Sequence, residues 1–371
     1  MSKPLIKRDQ FLSLILNDTA LMDVRAEAEF AKGSLPQSIN LPILSDEERH
    51  LVGSCYKQHG QDKAVALGHQ LVSGDIKAAR IDAWSTFIRA NPDAVVYCWR
   101  GGMRSNLVQQ WLEQAGVTIA LVEGGFKALR NFLLAEFESF VETTELVIVG
   151  GRTGSAKTPL INALPTGIDL EGHANHRGSS FGRRVNEPPR QLNFESQLII
   201  DCLKRQHQHP EKTFYFEDES QRIGPIFIPL KLWEKMEQTP VVELEVPFAE
   251  RVQHILKEYV VDQREDFQKQ YQQCNGESDA YHRYKQNLLD SLFRIRKKLG
   301  GKRYDELKLI MDQAFEEQLA GDVSRHEHWI AALLKEYYDP MYDYQLEKKG
   351  GRVCFKGDRE AVMAWALNKN A

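Results

Sequence analysis

The sequence predicts an α/β protein of two parallel-sheet domains, the second carrying a helical C-terminal region. Three observations carry that expectation. The chain has 371 residues, enough for two ordinary domains. Short apolar runs alternate with helical stretches, the pattern of strands joined by crossover helices. Two of the runs, VVYC (95–98) and LVIVGG (146–151), lead into glycine-bearing turns that open helices. Ligands of doubly wound sheets bind at that end of the strands.

In the first third, LMDVR (21–25), SINLP (38–42), AVVYC (94–98) and IALVEGG (119–125) read as strands. Between 102 and 115, Met103, Leu107, Trp111 and Leu112 recur at helical spacing. KALRNFLLAEF continues as a helix after the fourth strand. A second unit begins near Glu145, with LVIVGG (146–151), TFYFEDES (213–220) and VVELEVP (241–247) as its strands. After about residue 250 the pattern is long, charged and helical, through RIRKKLG and HWIAALLKEYYDPMYDYQLEKK. The stretch 136–145 is the candidate boundary, giving domains 1–138 and 139–371, with the helical part over about 250–371.

Apolar residues make up 42% and charged residues 27%, the balance of a soluble globular chain. No apolar run reaches the roughly 18 residues of a membrane span. The start, MSKPLIKRDQ, lacks the apolar core of a secretion signal, so a cytoplasmic protein is expected. Cysteines 55, 98, 202, 274 and 354 form no CxxC pair, which argues against a disulfide framework and a structural zinc site. The net charge of −4 gives no global attraction to nucleic acid, so any RNA contact must rest on a local basic patch.

The cysteine turn is VVYCWRGGMRSN. A lone cysteine at a strand end is ordinarily a packed residue, but Cys98 is followed by Gly101 and Gly102 and by Arg100 and Arg104. Loop N–H groups and the N-terminus of the next helix form a cradle for anions and favour a thiolate. Arg104, with Arg100 beside it, supplies charge for an oxyanion. Cys98, Arg100 and Arg104 are therefore the candidate catalytic residues. The second turn, VIVGGRTGSAKTPLI, matches G-x-x-x-x-G-K-[ST] except at Ala156. Gly151, Thr153, Gly154, Ser155, Ala156, Lys157 and Thr158 form the candidate phosphate loop, with Thr158 placed for Mg²⁺. In FEDES, Asp218 is the first candidate for a metal-orienting acid and Glu219 the second.

Three further segments carry candidate contacts. DLEGHANHRGSSFGRR brings Asp169, Glu171, His173, His176, Arg177, Arg183 and Arg184 into one glycine-bearing stretch suited to phosphate or RNA. RIRKKLGGKR carries Arg294, Arg296, Lys297 and Lys298, either as a solvated helix face or as RNA contacts. Tyr337, Tyr338, Tyr342 and Tyr344 suit stacking on bases, but packing of a C-terminal element is the preferred reading.

DVRAEAEFAKGSLPQSINLP, VYCWRGGMRS and LVEGGFKAL resemble the rhodanese pattern. Arg104 lies six residues after Cys98 rather than the usual five, the spacing of cysteine phosphatases. Taken with CYKQHG, ALGHQLVSG, DLEGHANHRGSSFG, FEDESQRIG and EYYDPMYDYQLEKK, and with a phosphate loop directly following, the whole chain resembles the bacterial tRNA 2-selenouridine synthase family. Ala156 stands where that family usually has glycine. The resemblance implies geranylation of the sulfur of wobble 2-thiouridine in tRNA by geranyl diphosphate, then replacement of the geranylated sulfur by selenium from selenophosphate. It implies no tightly bound cofactor, and leaves Mg²⁺ as a candidate ion. Three rivals stand beside it: a sulfurtransferase fused to a nucleotide-dependent kinase or ATPase, a cysteine phosphatase, and a non-enzymatic RNA-binding module.

Overall fold

The computed structural model describes residues 4–210 and 212–370; the side chains of 272–275 and 349–350, Cys274 among them, lie outside the described residues. The chain divides into two compact units, residues 1–140 with 190–204, and residues 141–189 with 205–371.

The first unit is built on β1 (Leu5–Ile6), β2 (Leu21–Asp23), β3 (Ser38–Asn40), β4 (Val95–Tyr97) and β5 (Ala120–Val122). They form one sheet in the order β1-β5-β4-β2-β3, with every pairing parallel. The central strands β2 and β4 are buried on both faces, which is why their sequences read as unbroken apolar runs. Met22, Val96, Trp84, Val108, Trp111 and Leu112 fill the core beside them. Between β3 and β4 the chain makes three helices, Asp46–His59, Gln61–Leu71 and Gly74–Ala90. Ser45 caps the first by accepting from Glu48 N, while the Glu48 side chain accepts from Ser45 N, a reciprocal capping box.

Residues 190–204 belong to this unit through specific contacts. Ser34 N donates to Asn193 Oδ1 at 3.1 Å, and Arg130 pairs with Glu195. Leu192 lies so close to Gly33 that a Cβ there would stand 2.9 Å from the leucine Cβ.

The second unit contains β6 (Leu146–Gly150), β7 (Gly167–Ile168), β8 (Phe214–Glu217), an antiparallel pair β9 (Arg222–Ile223) and β10 (Ile226–Phe227), β11 (Val241–Leu244) and β12 (Val353–Gly357). Its main sheet runs β12-β11-β6-β8-β7, again parallel throughout. This order puts β6 at the centre with β8 beside it, so the turns after both strands open on one edge. The region after residue 250 is helical except for β12, which returns to the sheet edge and is followed by helix Arg359–Lys369. The helices there enclose their own core of Tyr259, Tyr284, Leu292, Phe315, Trp329 and Leu333. Two π-helical stretches, Leu256–Asp262 and Leu334–Tyr338, interrupt them. Among the described residues no helix is long and apolar enough to cross a membrane.

Candidate active sites in the two units

In the first unit, β4 delivers Cys98 to the loop that precedes helix Met103–Gln114. The loop lies against the turn after β5: Phe126 N donates to Cys98 O at 2.9 Å and Lys127 N to Trp99 O at 3.0 Å. The approach is so close at Gly101, which has φ 60°, that a Cβ there would stand 2.7 Å from Gly124 N. Only glycine meets both conditions.

The Cys98 side chain is buried, and its Sγ shares a hydrogen bond with the fully buried Ser105 Oγ at 3.2 Å. Arg104 Nη1 donates to Glu29 Oε2 at 2.6 Å and Nη2 to Glu29 Oε1 at 3.2 Å. Burial opposes the Arg104 charge, but the Glu29 bond and charge outweigh it and raise its pKa; Cys98 and Asp23 are among the groups acting on it. Burial likewise works against the Glu29 carboxylate, yet Arg104 and Arg49 hold its pKa below the usual value. Arg100 is exposed. The arrangement thus gathers a thiol, a hydroxyl on it, and a guanidinium fixed by a carboxylate. Sequence reasoning chose Cys98, Arg100 and Arg104 but missed Ser105 and Glu29.

In the second unit, β6 runs into the loop 151–156 and helix Lys157–Ala163. Ala156 has φ 56° and ψ 47°, the left-handed conformation. Lys157 Nζ donates to Gly151 O at 3.2 Å. Ser155 Oγ is buried without a hydrogen-bond partner. The rim of the loop is fastened from outside. Arg251, itself paired with Asp339 through two 2.7 Å bonds, donates to Thr153 O at 3.2 Å, and His254 Nδ1 lies 3.0 Å from Gly154 O. Arg152 pairs with Asp343.

The acid that meets Thr158 is Glu217, which the sequence reading did not choose: the Thr158 hydroxyl donates to Glu217 Oε1 at 2.6 Å. Glu217 Oε2 accepts from Glu171 N at 3.0 Å, and Glu171 Oε1 accepts from Gly178 N at 2.5 Å. Burial first, then the Glu171 charge, pushes Glu217 up to about 8. Glu219 keeps a partly exposed edge, yet the protein packed around its carboxyl, followed by the Glu171 charge, pushes it well above the usual range. Asp218 follows β8 with its N–H bonded to Val149 O at 3.0 Å, and its carboxylate lies beside Gly150.

Within the stretch 173–184, a bridge between His176 and Arg183 closes a turn over residues 176–183. His176 is buried with Nδ1 unpartnered; burial lowers its pKa. Arg177 lies over Tyr259 and 3.7 Å from Glu258, and Arg184 Nε is buried without a partner. His173 is half-buried at the end of helix Leu170–His173. Arg294 Nη2 donates to Ser180 O at 2.8 Å, so two segments singled out separately in the sequence meet on one surface. Arg296, Lys297 and Lys298 are exposed in the last turn of helix Glu277–Leu299. Tyr338 is buried and Tyr344 exposed.

A parallel sheet ending in a cysteine–arginine loop, and a second ending in a phosphate loop, define a rhodanese-like domain joined to a P-loop domain. Comparison with known proteins agrees: residues 8–131 match the rhodanese-like domain, and residues 144–371 match the family described as tRNA 2-selenouridine synthase AAA domain. Similar curated proteins, each named tRNA 2-selenouridine synthase, come from several bacteria. That of Marinobacter nauticus is 47% identical over 364 residues, covering 98% of both chains. That of Pseudomonas fluorescens is 48% identical over 361 residues, covering 97% of this chain and 98% of its own. That of Photobacterium profundum is 47% identical over 360 residues, covering 97% of both. The chain belongs to the tRNA 2-selenouridine synthase family.

Proposed function

We propose that this chain is a cytoplasmic tRNA 2-selenouridine synthase that works in two stages, with residues 1–138 and 139–371 as its working parts. In the first stage the sulfur of wobble 2-thiouridine attacks the first carbon of geranyl diphosphate, and diphosphate leaves. In the second, the selenium of selenophosphate attacks C2 of the base, the geranylated sulfur departs as geranylthiol, and water cleaves the selenium–phosphorus bond to release phosphate. Alkylation prepares that departure by removing negative charge from sulfur.

The observation that supports this division most is the presence of two separate anion cradles, each at a helix N-terminus after a parallel strand. The phosphate loop, with Gly151, Thr153, Gly154, Ser155, Ala156, Lys157 and Thr158, suits the diphosphate. The Cys98 loop suits the selenium donor, with Arg104 and Arg100 as its cations and the Cys98 thiol serving the selenium step. The Thr158 hydroxyl and the Glu217 carboxylate offer hard oxygen donors of the kind Mg²⁺ prefers, and Asp218 and Glu219 follow next along the chain. Such an ion would neutralise diphosphate charge. Exposed Arg296, Lys297 and Lys298, together with Arg294 and the stretch from His173 to Arg184, suit the tRNA backbone.

Mass spectrometry of tRNA nucleosides from cells with and without the protein tests the reading. Loss of 2-selenouridine in the cells without it is expected; unchanged 2-selenouridine would refute it. A cysteine phosphatase is the second reading, favoured by the Cys98–Arg104 spacing. Hydrolysis of an aryl phosphate that disappears in Cys98→Ser would select it.

A further inference from the structure

Cys98 is 3% exposed, whereas its neighbour Trp99 is 41% exposed and Met103, at the start of the following helix, 52%. Exposure alone singles out no residue, but this ring stands one position from the thiol. The ring is also braced. Phe126 stacks on Trp99 with centroids 5.4 Å apart and planes 24° from parallel. The buried Arg25 guanidinium, held by Asp23, lies 4.1 Å from the phenyl centroid and 5.7 Å from that of the indole, so it contacts both rings. The Trp99 carbonyl is bonded to Lys127 N, so backbone and side chain are both fixed. Arg100, the next residue, is exposed.

We propose that Trp99 is the stacking platform on which an unstacked RNA base rests while its C2 substituent is brought to the Cys98 loop. Single-stranded RNA is gripped in this way, with a base on an aromatic face and a cation near its phosphate. Arg100 supplies that cation, and Met103 a soft apolar edge. Being pre-stacked on Phe126, the indole loses little conformational freedom when a base covers its exposed side. The inference rests on the reading that the uridine to be selenated is presented at Cys98, S-geranylated in the second stage.

The test measures binding of a short single-stranded RNA carrying one 2-thiouridine to the full chain, by fluorescence anisotropy of labelled RNA. Trp99→Ala should weaken binding about 5- to 150-fold, the range of one base–aromatic stack. Trp99→Phe should stay within about threefold of wild type, because a smaller ring still stacks. Alkylation of Cys98 by iodoacetamide should proceed at the wild-type rate in both variants, showing the loop intact. RNA carrying the S-geranyl base should be weakened by Trp99→Ala to the same degree.

Wild-type affinity in Trp99→Ala overturns the platform. So does a loss confined to S-geranyl RNA, which would make the ring a seat for the prenyl chain. Equal losses in Trp99→Phe and Trp99→Ala also overturn it, assigning the ring to packing. If the wild-type chain makes no 2-selenouridine, the reading of its function falls, while the binding comparison still judges the platform.

Discussion

Replacing Ala156 by glycine should stabilise the second unit and leave its phosphate loop in place. The residue sits at φ 56°, ψ 47° at the N-cap of helix Lys157–Ala163. For an L-residue with a Cβ that conformation costs roughly 1–2 kcal/mol, which glycine avoids. Glycine also frees the unfolded chain, returning about 0.4–1 kcal/mol of that gain. The balance is about 0.5–1 kcal/mol in favour of Ala156→Gly. For a unit of about 200 residues this raises the midpoint of thermal unfolding by roughly 1–4 °C. Calorimetry of the full chain reads the transition. Ala156→Val adds β-branching at the same strained angles and should lower the midpoint instead. Affinity for geranyl diphosphate should hold or rise in Ala156→Gly, because the loop already has the shape glycine adopts without strain. A lower midpoint in the glycine variant, or no difference between glycine and valine, would refute the steric argument.

Cys98→Ser, given geranyl diphosphate and thiolated tRNA, should accumulate the S-geranyl nucleoside, because a neutral hydroxyl is a far weaker nucleophile than a thiolate. Lys157→Ala should accumulate little of it yet convert pre-geranylated tRNA supplied with selenophosphate; a stall of both variants at one step contradicts two separate cradles. Replacing Arg294, Arg296, Lys297 and Lys298 together should weaken tRNA binding and flatten its dependence on salt, with the log–log slope falling by up to about 3–4. An unchanged slope moves the contact to another surface. Burial lowers the pKa of His326 from 6.5 to about 4, with Nδ1 accepting from Trp329 Nε1 at 2.9 Å. Between those values the unfolded chain binds the proton and the folded one does not, so stability falls as pH drops from 6.5 towards 4, by up to about 3 kcal/mol. Urea titrations across that range should show a shallower pH slope in His326→Gln; an equal slope assigns the acid sensitivity to other groups.

Strands buried on both faces were legible because nothing charged interrupts them, as in β4 and β6, and in β8 up to its last residue, Glu217. β1 and β7 are two residues each, too short for any period to register. β12 alternates half-buried and exposed positions inside a helical region, and only its place beside β11 makes it a strand. Of the helices between 46 and 90, the first buries no residue, the second only Ala64 and the third only Trp84, Ser85 and Ile88, so their apolar stripe is weak. At the sites, Cys98, Arg104, Lys157 and Thr158 were readable because each motif is local. Glu29 reaches Arg104 across 75 positions, and no local signal announces it. Ser105 was within reach, since it directly follows Arg104 at the start of a helix. In FEDES the composition marks an acid but not which one; the alternation of β8 decides that Glu217 faces Thr158.

The return of residues 190–204 to the first unit has a consequence for how the protein is made. A ribosome that has just released residue 140 has not yet supplied Leu192, Asn193 or Glu195, the partners of Gly33, Ser34 and Arg130. At 5–20 residues per second the remaining stretch of about 60 residues takes roughly 3–12 s to synthesise. During that interval β6, the phosphate loop and β7 emerge while the first unit still lacks its last helix. The nascent chain therefore passes through a state in which Gly33, Ser34 and Arg130 lack these partners, and a protein cut at residue 138 would lack them throughout.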